Sequence, residues 1–163
     1  HPLFDSPTRS LVAELTDMII PATDTPGAIV AGVPDFVEMM VADWYTGTER
    51  RIFLDGIAAL DAYCRQAFAA PFVQCSGEQR TSALQHAEQQ ALAYKSPLPG
   101  GVFGAMSKLV DEQTPFFTKL KELTVLGYYS SEVGATQELA YNPMPMRYDG
   151  DYDYAQTGRQ WRF

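Results

Sequence analysis

The run TPFFTKLKELTVLGYY, residues 114–129, sets Phe116, Phe117, Leu120, Leu123 and Leu126 at three- and four-residue spacing, which is the pattern of one apolar helix face. Thr114 before Pro115 reads as a cap followed by a first-turn proline, and the helix should stop at Gly127 or slightly later. Upstream the same grammar recurs. Ser6-Pro7 opens a helix whose Leu11, Leu15, Met18 and Ile19 share a face, and Pro21 closes it. A second helix should start near Pro34 with Phe36, Val37, Met40, Val41 and Trp44 inward, ending at Gly47. Thr48 can cap a third, with Ile52, Phe53, Ile57, Leu60 and Tyr63 in period until Pro71 interrupts it. Ser76 with Gln79 forms a capping box for a fourth, which runs to about Tyr94 and carries Leu84 and Leu92.

Between these lie PATDTPGAIVAG, residues 21–32, and KSPLPGG, residues 95–101, both rich in turn-forming residues. The first reads as an ordered loop that tucks Ile29 and Val30 inward, and a looser helical segment is expected around Met106 to Val110. No alternating β-branched run is long enough for a strand. The expected fold is all-α, a small bundle of about five helices with ordered Pro/Gly loops and an extended aromatic tail. Residues 1–140 form the helical domain and 141–163 a C-terminal arm, docked on that domain or on a partner.

The chain of 163 residues is 46% hydrophobic and 20% charged, enough apolar area for one core and too much for intrinsic disorder. Its net charge of -8 opposes approach to phosphate backbones and anionic headgroups, so nucleic acid is excluded as a partner class. No apolar run reaches the ~18 residues of a bilayer span. Cys64 and Cys75 are the two cysteines; they cannot complete a four-ligand zinc site, and can form a disulfide only if the chain reverses between them.

Chemistry-bearing residues are sparse. His86 stands mid-helix among Gln85, Glu88 and Gln89, where a solvated role fits better than the buried, oriented imidazole of a triad. Asp149, Asp151 and Asp153 resemble the opening of a calcium loop, but Tyr154 stands where glycine is needed and Gln160 where the bidentate glutamate belongs. Asp24 reads as an aspartate bonding its own turn. No catalytic, cofactor or metal residues are assigned within the chain. The arm is different: Tyr141, Tyr148, Tyr152, Tyr154, Trp161 and Phe163 are six aromatics in the last 23 residues. With Met144 and Met146, and with Tyr128 and Tyr129 at the end of the last helix, they make a candidate partner interface, since Tyr, Trp and Met concentrate where proteins meet. The same residues could instead wrap their own helices.

Two blocks carry a family resemblance. IIPATDTPGAIVAGVPDFVE, residues 19–38, and FFTKLKELTVLGYYSSEVGATQELAY, residues 116–141, followed by the RYDG turn at 147–150, resemble the gluconate 2-dehydrogenase subunit 3 family. The resemblance implies a non-catalytic small subunit, itself without cofactor. Its partner would be a large FAD-bearing subunit of the glucose-methanol-choline type that oxidises a sugar or sugar acid. A cytochrome c subunit, with haem c, or an iron-sulfur centre elsewhere in the complex would take the electrons. It also implies a role in maturation and twin-arginine export of that subunit, hence the periplasm. No twin arginine precedes His1, and Arg50-Arg51 falls inside a helix; a removed signal would account for a chain without an initial Met. The departure from the family is Asn142 to Arg147, NPMPMR, where a proline-glycine turn is usual. The open alternative is an independent small metal-binding protein or binding module using Asp24, His86 or the Asp149 cluster.

Overall fold

Five main helices surround one core in a computed structural model that describes residues 3–98, 111–140, 151 and 153–161. They are α1 (Ser6–Ile19), α2 (Val33–Met39), α3 (Gly47–Phe68), α4 (Gly77–Ala93) and α5 (Phe116–Ser130). A four-residue helix, α6 (Tyr154–Thr157), falls within the arm expected to be extended. Among the described residues there is no strand, only an isolated bridge between Ala140 and Trp161. The all-α expectation holds, and the helical segment expected at Met106 to Val110 lies outside the described residues.

α5 is the central helix. It packs on α1, α2, α3 and α4, and its buried residues Phe116, Phe117, Leu120 and Leu123 are those the spacing selected. Opposite them stand Leu11, Val12 and Leu15 of α1, Val33 and Val37 of α2, and Phe53, Ile57 and Leu60 of α3. Phe53 joins the layers, stacked at 6.2 Å from Phe4 and edge-on at 5.3 Å to Phe116. Such aromatic pairs add about 0.5–1.5 kcal/mol to their area burial. α3 and α5 approach closely because residue 56 is glycine: a Cβ there would lie 2.2 Å from the Cβ of Phe116.

The helix starts reflect local chemistry in ways the sequence reading placed only in part. Ser76 and Gln79 make the expected reciprocal capping box at the head of α4. For α1 the cap is Asp5 rather than Ser6, its carboxylate accepting from the Thr8 amide at 2.9 Å with Pro7 in the first turn. For α3 the cap is Thr46, not Thr48. Its hydroxyl and the Glu49 carboxylate form a second capping box across Gly47, which is therefore the first residue of a helix and not the end of one. Thr114 does not cap α5; its hydroxyl donates to the Asp111 carbonyl at 2.8 Å.

Three sets of apolar residues face the other way from expectation. Gly32 takes a left-handed turn at φ 74°, and the amides of Ala31 and Gly32 bond back to Gly27 and Ile29. That tight turn drives Ala28 and Val33 into the core and leaves Ile29 and Val30 outside. Leu92 and Leu126 are also exposed, the core places on their helices going to Ala83 and to Leu123 and Tyr128. Trp44 has a distinct cause. α2 widens into a π-helical turn over Met40–Trp44, closed by the Tyr45 amide on the Met40 carbonyl at 3.1 Å, five residues back instead of four. The added residue rotates the register, so Tyr45 turns inward onto Phe53 at 6.2 Å while Trp44 faces outward, 77% exposed.

Candidate partner interface

The two sequence blocks that carry the resemblance are one structural unit. The Tyr128 hydroxyl at the end of α5 donates to the Pro26 carbonyl at 2.7 Å, and Thr25 donates to the Glu138 carboxylate at 2.6 Å. Glu138 closes a second π-helical turn, Gly134–Glu138, held by the Ser131 hydroxyl on the Gly134 amide at 3.0 Å. The PATDTPG loop is thereby pinned to the end of α5. Tyr128, expected at an interface, is a buried tie, and its neighbour Tyr129 remains 40% exposed.

Beneath Trp44 lies a buried ion pair the sequence gave no sign of. Lys119 of α5 donates to Glu49 of α3 at 3.1 Å, the two side chains only 4% and 8% exposed. The second carboxylate oxygen of Glu49 accepts the Thr46 amide at 3.0 Å, and the Lys119 ammonium sits 5.1 Å from the Tyr45 ring centroid. Burial alone would raise the Glu49 carboxyl; the Thr46 amide and the Lys119 ammonium outweigh it and hold the group below its ordinary value. Burial, with Glu49 and Glu122 nearby, pushes the Tyr45 phenol upward.

Around this pair the surface mixes apolar and charged side chains, with Asp111 and Glu112 beside the hydrophobic residues. Met40, Trp44, Tyr45 and Leu126 line a groove of about 670 Å³ with Glu122 at its edge. Glu122 also borders a second groove beside Leu92, Phe117 and Lys121, where Lys121 bonds Glu88 of α4 at 2.9 Å. On the outer side of α5 the adjacent Val125 and Leu126 are exposed, as is Tyr129 one turn further on. Leu92 and Trp44, each 77% exposed, line one groove each. Single exposed hydrophobics are ordinary; several around two grooves that share Glu122 make a candidate interface. Periodicity missed this face because it assigned Trp44, Leu92 and Leu126 to the core.

Tyr141, Met144, Met146, Tyr148 and Tyr152 lie outside the described residues, as do Asp149 and the side chain of Tyr154. Trp161 is partly exposed, and the described end of the arm returns to its own chain: the Ala140 amide donates to Gln160 at 2.7 Å and Arg159 to the Gln137 carbonyl. His86 is half-buried instead of solvated, its ring stacked 4.2 Å from Tyr63 and its Nε2 3.0 Å from the Gln90 amide nitrogen. Asp24 accepts from the side-chain hydroxyl of its neighbour Thr23 at 3.0 Å, a side-chain pair and not the backbone bond of an Asx turn. Among the described residues, no three His, Cys, Asp or Glu side chains converge as a metal site, and no helix is long and apolar enough to cross a membrane.

The fold is that of a small all-α bundle, with several large hydrophobic side chains exposed on α5 and its neighbours. The family profile of gluconate 2-dehydrogenase subunit 3 matches residues 7–146, and the chain belongs to that family, whose name makes it a subunit of an oxidoreductase complex. No curated protein and no solved structure matches the chain.

Proposed function

We propose that this chain is the non-catalytic small subunit of a periplasmic FAD-dependent sugar or glycoside dehydrogenase. In this reading its partner is a large catalytic subunit of the glucose-methanol-choline type, which holds the FAD. Electrons leave through a cytochrome c subunit or an iron-sulfur centre elsewhere in the complex. The small subunit stabilises the large one as it matures and accompanies it through twin-arginine export. The observation that carries the reading is the family match over residues 7–146. The exposed face of α5 with Trp44 and Leu92 supports it, since a subunit needs a surface of this kind to hold its partner.

The occupant of that face is the FAD-bearing subunit. The grooves are edged by Glu112, Glu122 and Glu88 on a chain of net charge -8, so the matching surface should be apolar at its centre and basic at its rim. Trp44 acts as the anchor. The test is co-expression of the FAD subunit with no small subunit, with the wild-type chain, and with Trp44→Ala. Flavin content and dehydrogenase activity of the large subunit should require the wild-type chain and fall with the variant. A large subunit that loads flavin and works equally well alone would refute the reading.

A further inference from the structure

Cys64 and Cys75 are the two thiols of the chain, and both are buried: Cys64 is fully enclosed near the end of α3 and Cys75 is 3% exposed just before α4. The chain reversal that a bridge requires is present. α3 ends with Ala69 in a left-handed conformation at φ 56°, Pro71 follows, and a 3₁₀ turn over Phe72–Gln74 brings the chain back along the helix it has left. That turn is fixed to α3 by the Asp61 carboxylate, which accepts the Phe72 amide at 2.8 Å. Arg80 holds it from the other side, donating to the carbonyls of Cys75 at 3.0 Å and Val73 at 2.9 Å while pairing with Glu14 of α1. The result is that the two thiols sit in one core cluster, one on α3 and the other at the end of the turn tied back to that helix, as free sulfhydryls.

We infer that Cys64 and Cys75 pair in a disulfide, formed by thiol-disulfide exchange as the chain folds, that staples the end of α3 to the head of α4. The Cys75 sulfur makes a long contact, 3.7 Å to the Ala70 carbonyl, and among the described residues no three His, Cys, Asp or Glu side chains converge to make the pair a metal site. The step balances with a disulfide-bearing oxidant. The thiolate of one cysteine attacks the oxidant disulfide and releases one of its thiols; the second cysteine then displaces the other. Two electrons and two protons pass from the cysteine pair to the two oxidant thiols.

Burial sets the order of events. Enclosure of Cys64, with Cys75 beside it, pushes its thiol up to about 12, so the folded protein holds almost no attacking thiolate and admits no oxidant. Closure therefore belongs to the folding chain, before Phe72 seats, and the finished bridge is shielded from reductants. Only the supply of oxidant in the cell rests on the periplasmic reading; the pairing itself does not.

The test uses the full chain, alone or with its partner, refolded in reduced and oxidised glutathione. Thiols are counted under denaturing conditions and non-reduced peptides are mapped by mass. The expected result is no titratable thiol, a mass about 2 Da below the dithiol form and a Cys64–Cys75 cross-linked peptide. The closed form should melt roughly 6–12 °C above protein reduced in denaturant and refolded in dithiothreitol, from the entropy of closing a loop of about a dozen residues. In Cys64→Ala/Cys75→Ala that difference should vanish; if this variant fails to fold, the thiol count on the wild-type chain still decides. Two free thiols, separate glutathione adducts or bridges between chains would overturn the inference. None of these results depends on whether the FAD subunit binds.

Discussion

Replacing Lys119 by Met tests the buried pair that supports the candidate interface. With Lys119 4% and Glu49 8% exposed, the substitution leaves a carboxylate in the core with the Thr46 amide and no cation. Breaking such a pair from one side costs about 3–5 kcal/mol, a large part of the stability of a domain this size. Glu49→Gln added to Lys119→Met should recover much of the loss, because the glutamine keeps the capping box with Thr46 and removes the stranded charge. Urea unfolding of the wild type, both single variants and the double variant gives the coupling, expected at about 0.5–3 kcal/mol. The pH dependence adds a sign. Glu49 lies below its ordinary 4.5 when folded, so its contribution is present above that value and is lost as the pH falls through the folded value. In Lys119→Met the compensating cation is gone and burial acts with less opposition, so this loss toward acid should shrink or reverse. A cost for Lys119→Met under about 1 kcal/mol, or single-variant costs that simply add, would refute the reasoning.

Three further outcomes follow from named contacts. Gly56→Ala forces a methyl to within 2.2 Å of the Phe116 Cβ and should cost about 1–3 kcal/mol by thermal or urea unfolding as α3 and α5 move apart. Tyr128→Phe deletes the donor to the Pro26 carbonyl and should cost about 1–3 kcal/mol, with earlier proteolysis in the 21–32 loop. Trp44→Ala should leave the melting temperature of the isolated chain almost unchanged, since the ring is 77% exposed, while weakening association with the FAD subunit about tenfold or more in a binding titration.

Helix existence was readable from the sequence because the apolar spacing is strong: Leu11 and Leu15, Phe53, Ile57 and Leu60, and Phe116, Phe117, Leu120 and Leu123 all reach the core. The Ser76-Gln79 box was readable for the same reason, being local chemistry. What periodicity could not supply was a register change. The π-helical turn at Met40–Trp44 exchanges Trp44 for Tyr45 inside, and no residue in that run is a helix breaker that would announce it. Thr46 and Glu49 did carry a capping signal, but Gly47 between them looked like a stop. Lys119 and Glu49 stand 70 residues apart, so only the packing of α5 on α3 makes them partners. The arm that composition singled out lies largely outside the described residues, and the exposed apolar residues of α5 and its neighbours are a further candidate that only the packing places. Tyr128 shows the same limit, since a tyrosine at a helix end can be a surface handle or a buried tie, and the Pro26 carbonyl decides which.

The most direct test of the central claim is the mass and flavin content of the species formed when this chain is co-expressed with the proposed FAD-bearing subunit, measured by light scattering and absorbance during size-exclusion chromatography. The expected result is one complex containing both chains with bound flavin, disrupted by Trp44→Ala. Two separately eluting chains, with the flavoprotein fully loaded and active in the absence of this one, would contradict the account.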